Sequence, residues 1–399
     1  MNRKYLIFGI FAVFFLILAG VAWNYLGLDR KTSTPGEKVV LDEREKVSPE
    51  DQTGAVAEKE WVTETVAEGL VVPWSLAFTA ENRMLVTERP GRVRAIVDGE
   101  LLEKPLYTFK DVSSTGEEGL MGLAIDPHYA ENRYLYVSYA YGSPLRVKVV
   151  RLKDEGEALS EPTVILDKIP AAQYHAGSRL KFGPDKALYI TTGDATDKAL
   201  AQNMQSLAGK ILRINTDGSI PEDNPDPASL VYSYGHRNPQ GIAWDPYSGE
   251  MYATEHGPSV FDGPAGGDEV NHIMPGANYG WPLVSHEKKL DGTEEPLLLF
   301  TPAIAPSGAT FYSSDKIPQF TGKFFWTALK GEGVFMGTVD VEDPDDFDDY
   351  EKLPNLDYGR IRDIVEGPDG ALYFLTSNRD GRGKPQAGDD KVIRLRTKE

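Results

Sequence analysis

The chain has 399 residues, 41 % of them hydrophobic, a formal charge of −19 and no cysteine. That apolar content fills one large domain or two ordinary ones. The acidic balance argues against a nucleic-acid partner, because phosphate backbones are held by clustered Lys and Arg. The missing cysteines exclude disulfides, thiolate metal sites, iron–sulfur clusters and a Cys-borne lipid.

The N-terminus reads MNRK, and the run from Tyr5 to Leu28 is then almost wholly apolar, with Asn24 its one strongly polar side chain. At about 1.5 Å per helical residue such a run crosses a hydrocarbon core roughly 30 Å thick. Residues 1–28 therefore read as a membrane anchor, with the basic flank in the cytoplasm and the rest of the chain outside. Gly20 and Ala22 leave signal-peptidase cleavage, and hence secretion, as the alternative. Residues 29–60 mix charges with Ser, Thr, Pro and Gly, with no aromatic until Trp61, and read as a flexible charged linker.

From Trp61 onward one phrase recurs: an apolar triplet, a turn with Asp, Gly, Asn or Pro, then an apolar run ending near Thr, Ser or Ala. It stands as WSLAFTAENRMLVTER, MGLAIDPHYAENRYLYVSYA, SRLKFGPDKALYITTGD and QGIAWDPYSGEMYATEHG, with weaker copies in ATFYSSDKIPQFTGKFFWTAL and RDIVEGPDGALYFLTSN. Each is a strand, a tight turn and a second strand. The triplets begin at 76, 123, 180, 242, 309 and 363, leaving room each time for two more strands. An all-β, six-bladed propeller of four-stranded antiparallel blades over residues 61–399 follows. The alternative is a stack of β-sandwiches, which the lack of any linker-like stretch after residue 61 disfavours.

Unusual polar loops fall at similar places in the repeat. Glu117 and Glu118 precede the second copy, His175 the third and YGHRNPQG (234–241) the fourth; Lys330 follows the fifth, and Arg360 and Arg362 open the sixth. Taken singly, each has an ordinary reading, His175 as a structural imidazole and the arginines as partners of a nearby carboxylate such as Asp363. Equivalent repeat positions converge at one mouth of a propeller channel. A focus of Arg and Lys in so acidic a protein suits a compact polyanion, since guanidinium groups recognise carboxylates by geometry as well as charge. His175 is then a candidate general base, with Asp194 to orient it or else to act as a plain strand-end residue. The Gly- and Pro-rich segment 255–282 carries Glu255, Asp262, Asp268 and Glu269, donors that suit calcium as readily as a plain long loop. The acidic run 340–350 reads as a solvated blade loop.

With these residues in hand, the chain from 61 to 399 resembles the soluble pyrroloquinoline-quinone-dependent sugar dehydrogenases, most closely their aldose sugar dehydrogenase branch. GEEGLMGLAIDP, HAGSRLKFGPD with TTGD, GHRNPQGIAWDP, EHGP with GGDEVN, GANYGWP, APSG, ALKG and GRIRD carry the resemblance, in the family's order. It implies that His175 removes the proton of the anomeric hydroxyl while hydride passes to the quinone, and that Asp194 supports it. Arg237, Asn238 and Gln240 match residues that hold the quinone, with Arg237 also facing negative charge that develops on it. Lys330, Arg360 and Arg362 match the groups that bind its carboxylates. Gly257 and Pro258 match the backbone ligands of a catalytic calcium, and Glu269 with the Tyr279 backbone those of a second, structural one. The implied partners are an aldose, oxidised at C1 to a lactone, and an electron acceptor that is a quinone or a cytochrome. Two departures stand out: Glu117 lies where glucose-oxidising members have Gln, and LLLFTPAIAPS lacks their aromatic residues before APS. A calcium-dependent lactonase or esterase and a non-enzymatic binding propeller are the competing functions.

Overall fold

In the computed structural model, residues 58–340 and 343–398 are described. The proposed anchor and nearly all of the linker lie outside them. The described residues from Trp61 to Thr397 form six antiparallel blades in a ring, five of four strands and the first with two short strands, Glu100–Leu101 and Tyr107–Thr108, sharing its outermost position. The six inner strands are Pro73–Ala80, Leu120–Ile125, Leu180–Phe182, Pro239–Trp244, Pro306–Phe311 and Ile361–Glu366. Each of the six sequence phrases is the inner strand of one blade and the strand that follows it.

The sixth blade takes its outermost strand from the start of the domain: Trp61–Ala67 pairs antiparallel with Val392–Thr397, Trp61 lying opposite Thr397. Residue 61 thus begins the last blade, and the first blade starts at Pro73. This pairing closes the ring and covers the strand edges that an open arrangement would expose.

The recurring Thr or Ser has a structural reason. Thr87 Oγ1 donates to the Met121 carbonyl at 2.6 Å, Ser138 Oγ to Ser178 at 2.7 Å and Thr254 Oγ1 to Ser307 at 2.6 Å. Each hydroxyl sits on the second strand of one blade and reaches the inner edge of the next. The backbones come so close there that a Cβ on Gly122 would lie 2.3 Å from the Ser178 oxygen, and one on Gly241 the same distance from that of Ser307. Apolar clusters fill the space between neighbouring blades, such as Leu188, Ile190, Leu212 and Ile214 against Tyr136, Val147 and Val149. The rigid wall that results aims the loops following the second strands toward one end of the channel.

Candidate active site

His175 stands in the loop before the third blade with a left-handed backbone, φ 58°. The TTGD segment is shaped to receive it: a Cβ on Gly193 would fall 2.0 Å from the His175 carbonyl oxygen. Asp194 follows immediately, buried, with Oδ1 2.8 Å from His175 Nδ1. The same carboxylate accepts the Thr196 amide and, through Oδ2, the Trp281 indole N–H, each at 2.8 Å. Three donors fix its orientation, and the imidazole is held by its Nδ1 edge.

The other ring nitrogen meets Arg237. Arg237 Nη2 lies 2.9 Å from His175 Nε2, Nη1 donates to the His256 carbonyl at 3.1 Å and Nε to Asp262 Oδ2 at 2.8 Å. A guanidinium only donates, so this contact requires a lone pair on Nε2 and places the His175 proton on Nδ1. The imidazole is thereby set in the tautomer of a base. Burial raises the Asp262 pKa, but the hydrogen bonds from Arg237 and the Ser259 amide and the neighbouring positive charge together outweigh it and hold the carboxyl below its ordinary range.

The rest of YGHRNPQG builds the loop. His236 is fully buried, bonded through Nδ1 to Glu255 Oε2 and through Nε2 to Ser233 Oγ, each at 2.8 Å, and stacked on Tyr279. Asn238 Oδ1 accepts the Gly177 amide at 3.1 Å and Gln240 Nε2 at 3.0 Å, tying the His175 loop to the fourth blade. Asn238 is thus occupied with scaffolding and does not line the adjoining cavity, whereas Gln240 does.

That cavity, of about 490 Å³, is lined by Gln240, Glu117, Lys330, Arg360 and Arg362, which the sequence had singled out, and by Trp74, Arg89, His256, Asp380 and Arg382, which it had not. Tyr174, Ala176 and Gly177 line it on either side of His175. Arg360 binds Asp380 Oδ2 through Nε and Nη2 at 2.9 and 2.7 Å, and Arg382 meets Glu117 at 2.7 Å. Asp363 pairs with neither Arg360 nor Arg362 but with Arg179 at 2.9 Å, deeper in the channel. Among the described residues, Arg89, Lys330 and Arg362 have no carboxylate partner. Arg89 donates to the carbonyls of Glu118 and Gly116. Arg362 donates to Gln240 Oε1 at 3.0 Å, its buried Nε has no partner, and burial pushes its pKa down. Five cations against two carboxylates leave the cavity wall an excess of three positive charges.

Glu118 is buried and accepts from the Thr115 amide and hydroxyl and the Gly116 amide, so it shapes the loop that presents Glu117. Glu117 itself pairs with Arg382 at the rim.

The four residues matched to metal ligands, Gly257, Pro258, Glu269 and Tyr279, gather around a second, small cavity with Glu255 and His256. Its volume of about 10 Å³ suits a single water or ion. Glu269 is partly buried there, and desolvation together with the Glu255 charge pushes its pKa up to about 8. Two facing carboxylates, one of them buried, are the donor set that a hard divalent cation relieves. His256 lines both cavities, and burial and the neighbouring Arg362 and Arg237 push its pKa well below the ordinary imidazole value.

A sequence model of the glucose/sorbosone dehydrogenase family matches residues 70–385. The chain belongs to that family. Within the glucose/sorbosone dehydrogenases it is 34 % identical to the aldose sugar dehydrogenase of Escherichia coli over 344 residues, covering 80 % of this chain and 90 % of that one. It is 29 % identical to quinoprotein glucose dehydrogenase B of Acinetobacter calcoaceticus, over 80 % and 85 % of the two chains. The PQQ-bound aldose sugar dehydrogenase of Streptomyces coelicolor superposes with a TM-score of 0.76 at 34 % identity, covering 85 % of this chain and 99 % of that one. Membership in this oxidoreductase family bears out the resemblance read from the motifs. Two of the missed wall residues carried a readable signal: Arg89 and His256 each stand two places after the Thr of the second strand, as Asp194 does after Thr192.

Proposed function

We propose that the protein is a pyrroloquinoline-quinone-dependent aldose sugar dehydrogenase that oxidises the C1 hydroxyl of aldoses to lactones. The observation that carries this reading is Arg362, a buried guanidinium with no counter-ion, in a cavity whose excess of three positive charges matches a tricarboxylate. An unpaired buried cation is costly to keep, and a bound anion relieves that cost.

In this reading Arg89, Lys330, Arg360 and Arg362 hold the carboxylates and Gln240 the ring edge. His175 Nε2 takes the proton of the anomeric hydroxyl, and Asp194 stabilises the imidazolium that forms. To admit that hydroxyl, Arg237 Nη2 leaves Nε2 and turns to the negative charge that develops opposite. When bound, the quinone would supply the two-electron acceptor for the hydride of C1. Glu255, Glu269 and the carbonyls near Gly257, Pro258 and Tyr279 fit a calcium ion, whose Lewis acidity would polarise the quinone if it sits against it and would otherwise brace the loop. Residues 5–28 would anchor the domain outside the cytoplasm, within reach of a membrane quinone or a cytochrome; protease protection of the propeller in intact cells would refute that placement.

The decisive experiment is dye-linked oxidation of a panel of aldoses by the purified protein, with and without added quinone and calcium. Turnover that needs the quinone is expected, with His175→Ala abolishing it while the quinone still binds. Hydrolysis of lactones by the quinone-free protein, with no oxidation under any condition, would move the lactonase reading to the front.

A further inference from the structure

Asp262 lies on a tight turn at the mouth of the site. Ser259 donates its amide and hydroxyl to Asp262 Oδ1 at 2.7 and 3.2 Å, and the Asp262 and Gly263 amides return to the Ser259 carbonyl at 3.1 and 2.9 Å. The two residues at its tip, Val260 and Phe261, are 78 % and 95 % exposed. The turn presents its apolar tip to solvent and directs the Asp262 carboxylate inward to Arg237.

From this turn Asp262 Oδ2 takes the Nε–H of Arg237, the residue whose Nη2 covers the lone pair of His175. His175, Asp194 and Asp262 all offer an atom within 4.8 Å of one another, so two carboxylates flank the imidazole–guanidinium pair. Of the three acceptors that fix the guanidinium, His256 contributes a neutral carbonyl and His175 a lone pair that the substrate must claim. Asp262 alone supplies a charge, and it does so at Nε, the nitrogen that does not touch His175. An arginine released from that bond regains the rotamer freedom of a long side chain.

We infer that Asp262 is a positioning residue for the proposed oxidation: it holds Arg237 so that the guanidinium guards His175 Nε2 at rest and faces the reacting atoms during turnover. This rests on the dehydrogenase reading given above, and it acts through Arg237 without touching the sugar or the quinone. A misplaced electrostatic group of this kind lowers kcat more than KM, because its contribution is made in the transition state.

The test has two arms. In the quinone-free full-length protein, ¹⁵N NMR of the histidine side chains should show a change at His175 Nε2 on Asp262→Asn, as the Arg237 contact is lost. In the quinone-loaded protein, the same variant should lower kcat about 10- to 100-fold with KM and quinone affinity within about threefold. Combined with Arg237→Ala it should add no further loss, since the two act as one unit. Should Asp262→Asn misfold, Ser259→Ala loosens the turn while leaving the charge in place, and a smaller fall in kcat in the same direction is expected. An unchanged Nε2 signal, or an undiminished kcat in a folded variant, overturns the assignment. So does a full additional loss in the Arg237→Ala background. If the wild-type protein oxidises no aldose, the dehydrogenase reading fails instead, and the NMR arm still decides what Asp262 does to His175.

Discussion

Two buried guanidinium groups lie against the ring of Trp74, Arg179 with its Cζ 4.2 Å from the ring centroid and Arg362 at 5.6 Å. Arg179 is paired with Asp363 at 2.9 Å and bonded to the Gln240 carbonyl and Ser75 Oγ. Arg362, the immediate sequence neighbour of that aspartate, faces the cavity with no carboxylate. The first cation is cancelled from within the fold and braces the waist of the channel. The second is left for something outside the fold to cancel. Burial of a charge is therefore no guide to function by itself; the presence or absence of its partner is.

The sharpest way to break this comparison is to remove the partner of the paired cation. Asp363→Ala leaves Arg179 unmatched and takes the acceptor from the Leu76 amide, bonded at 2.9 Å. A loss of about 3–5 kcal/mol in denaturant unfolding is expected. Arg362→Met should do the opposite, leaving the quinone-free protein as stable or more so while weakening quinone binding by about 2–5 kcal/mol in a calorimetric titration. A destabilised Arg362→Met protein would show that the two sites do not differ as described.

Lys330→Gln should weaken quinone binding by a smaller step, about tenfold, since its ammonium acts as a single point charge. The second cavity gives a prediction with a sign. With Glu269 raised to about 8, the folded metal-free protein binds a proton that the unfolded chain releases near the ordinary carboxylate value. Its contribution is fully present at low pH and is lost as pH rises through about 8. Calcium should therefore raise the melting temperature more at pH 8 than at pH 6, with proton release on binding, and Glu269→Gln should remove that pH dependence. The smallest effect belongs to the rim: Glu117→Gln breaks an exposed pair with Arg382 and should change stability by no more than about 0.5 kcal/mol.

The blades were legible because their phrase encodes two physical necessities, alternation for a half-buried strand and a hydroxyl for the next blade's carbonyl. The closing strand was not, because Trp61–Ala67 belongs to a blade whose other strands lie at the far end of the sequence. In the site, His175, Asp194, Arg237 and the cations could be placed by repeat position. What eluded the sequence were the partnerships, such as Trp281 to Asp194, Arg382 to Glu117 and Asp363 to Arg179 rather than to its own neighbours. Charge and spacing say which groups converge, but which of two nearby carboxylates a guanidinium takes depends on side-chain directions that only the folded ring sets. Asn238 shows the same limit, since a carboxamide in a polar loop reads equally as ligand or as brace.

The seam between Trp61–Ala67 and Val392–Thr397 has one further consequence. A ring sealed by backbone pairing between the first and last strands of the propeller is circular in all but a short covalent gap. Residue 61 and residue 397 are held side by side, so a short covalent bridge there would allow the chain to be opened at an exposed loop elsewhere, such as the stretch 287–292. The order of blades along the chain would change, while the order around the axis, and with it every contact at the mouth of the channel, would stay the same.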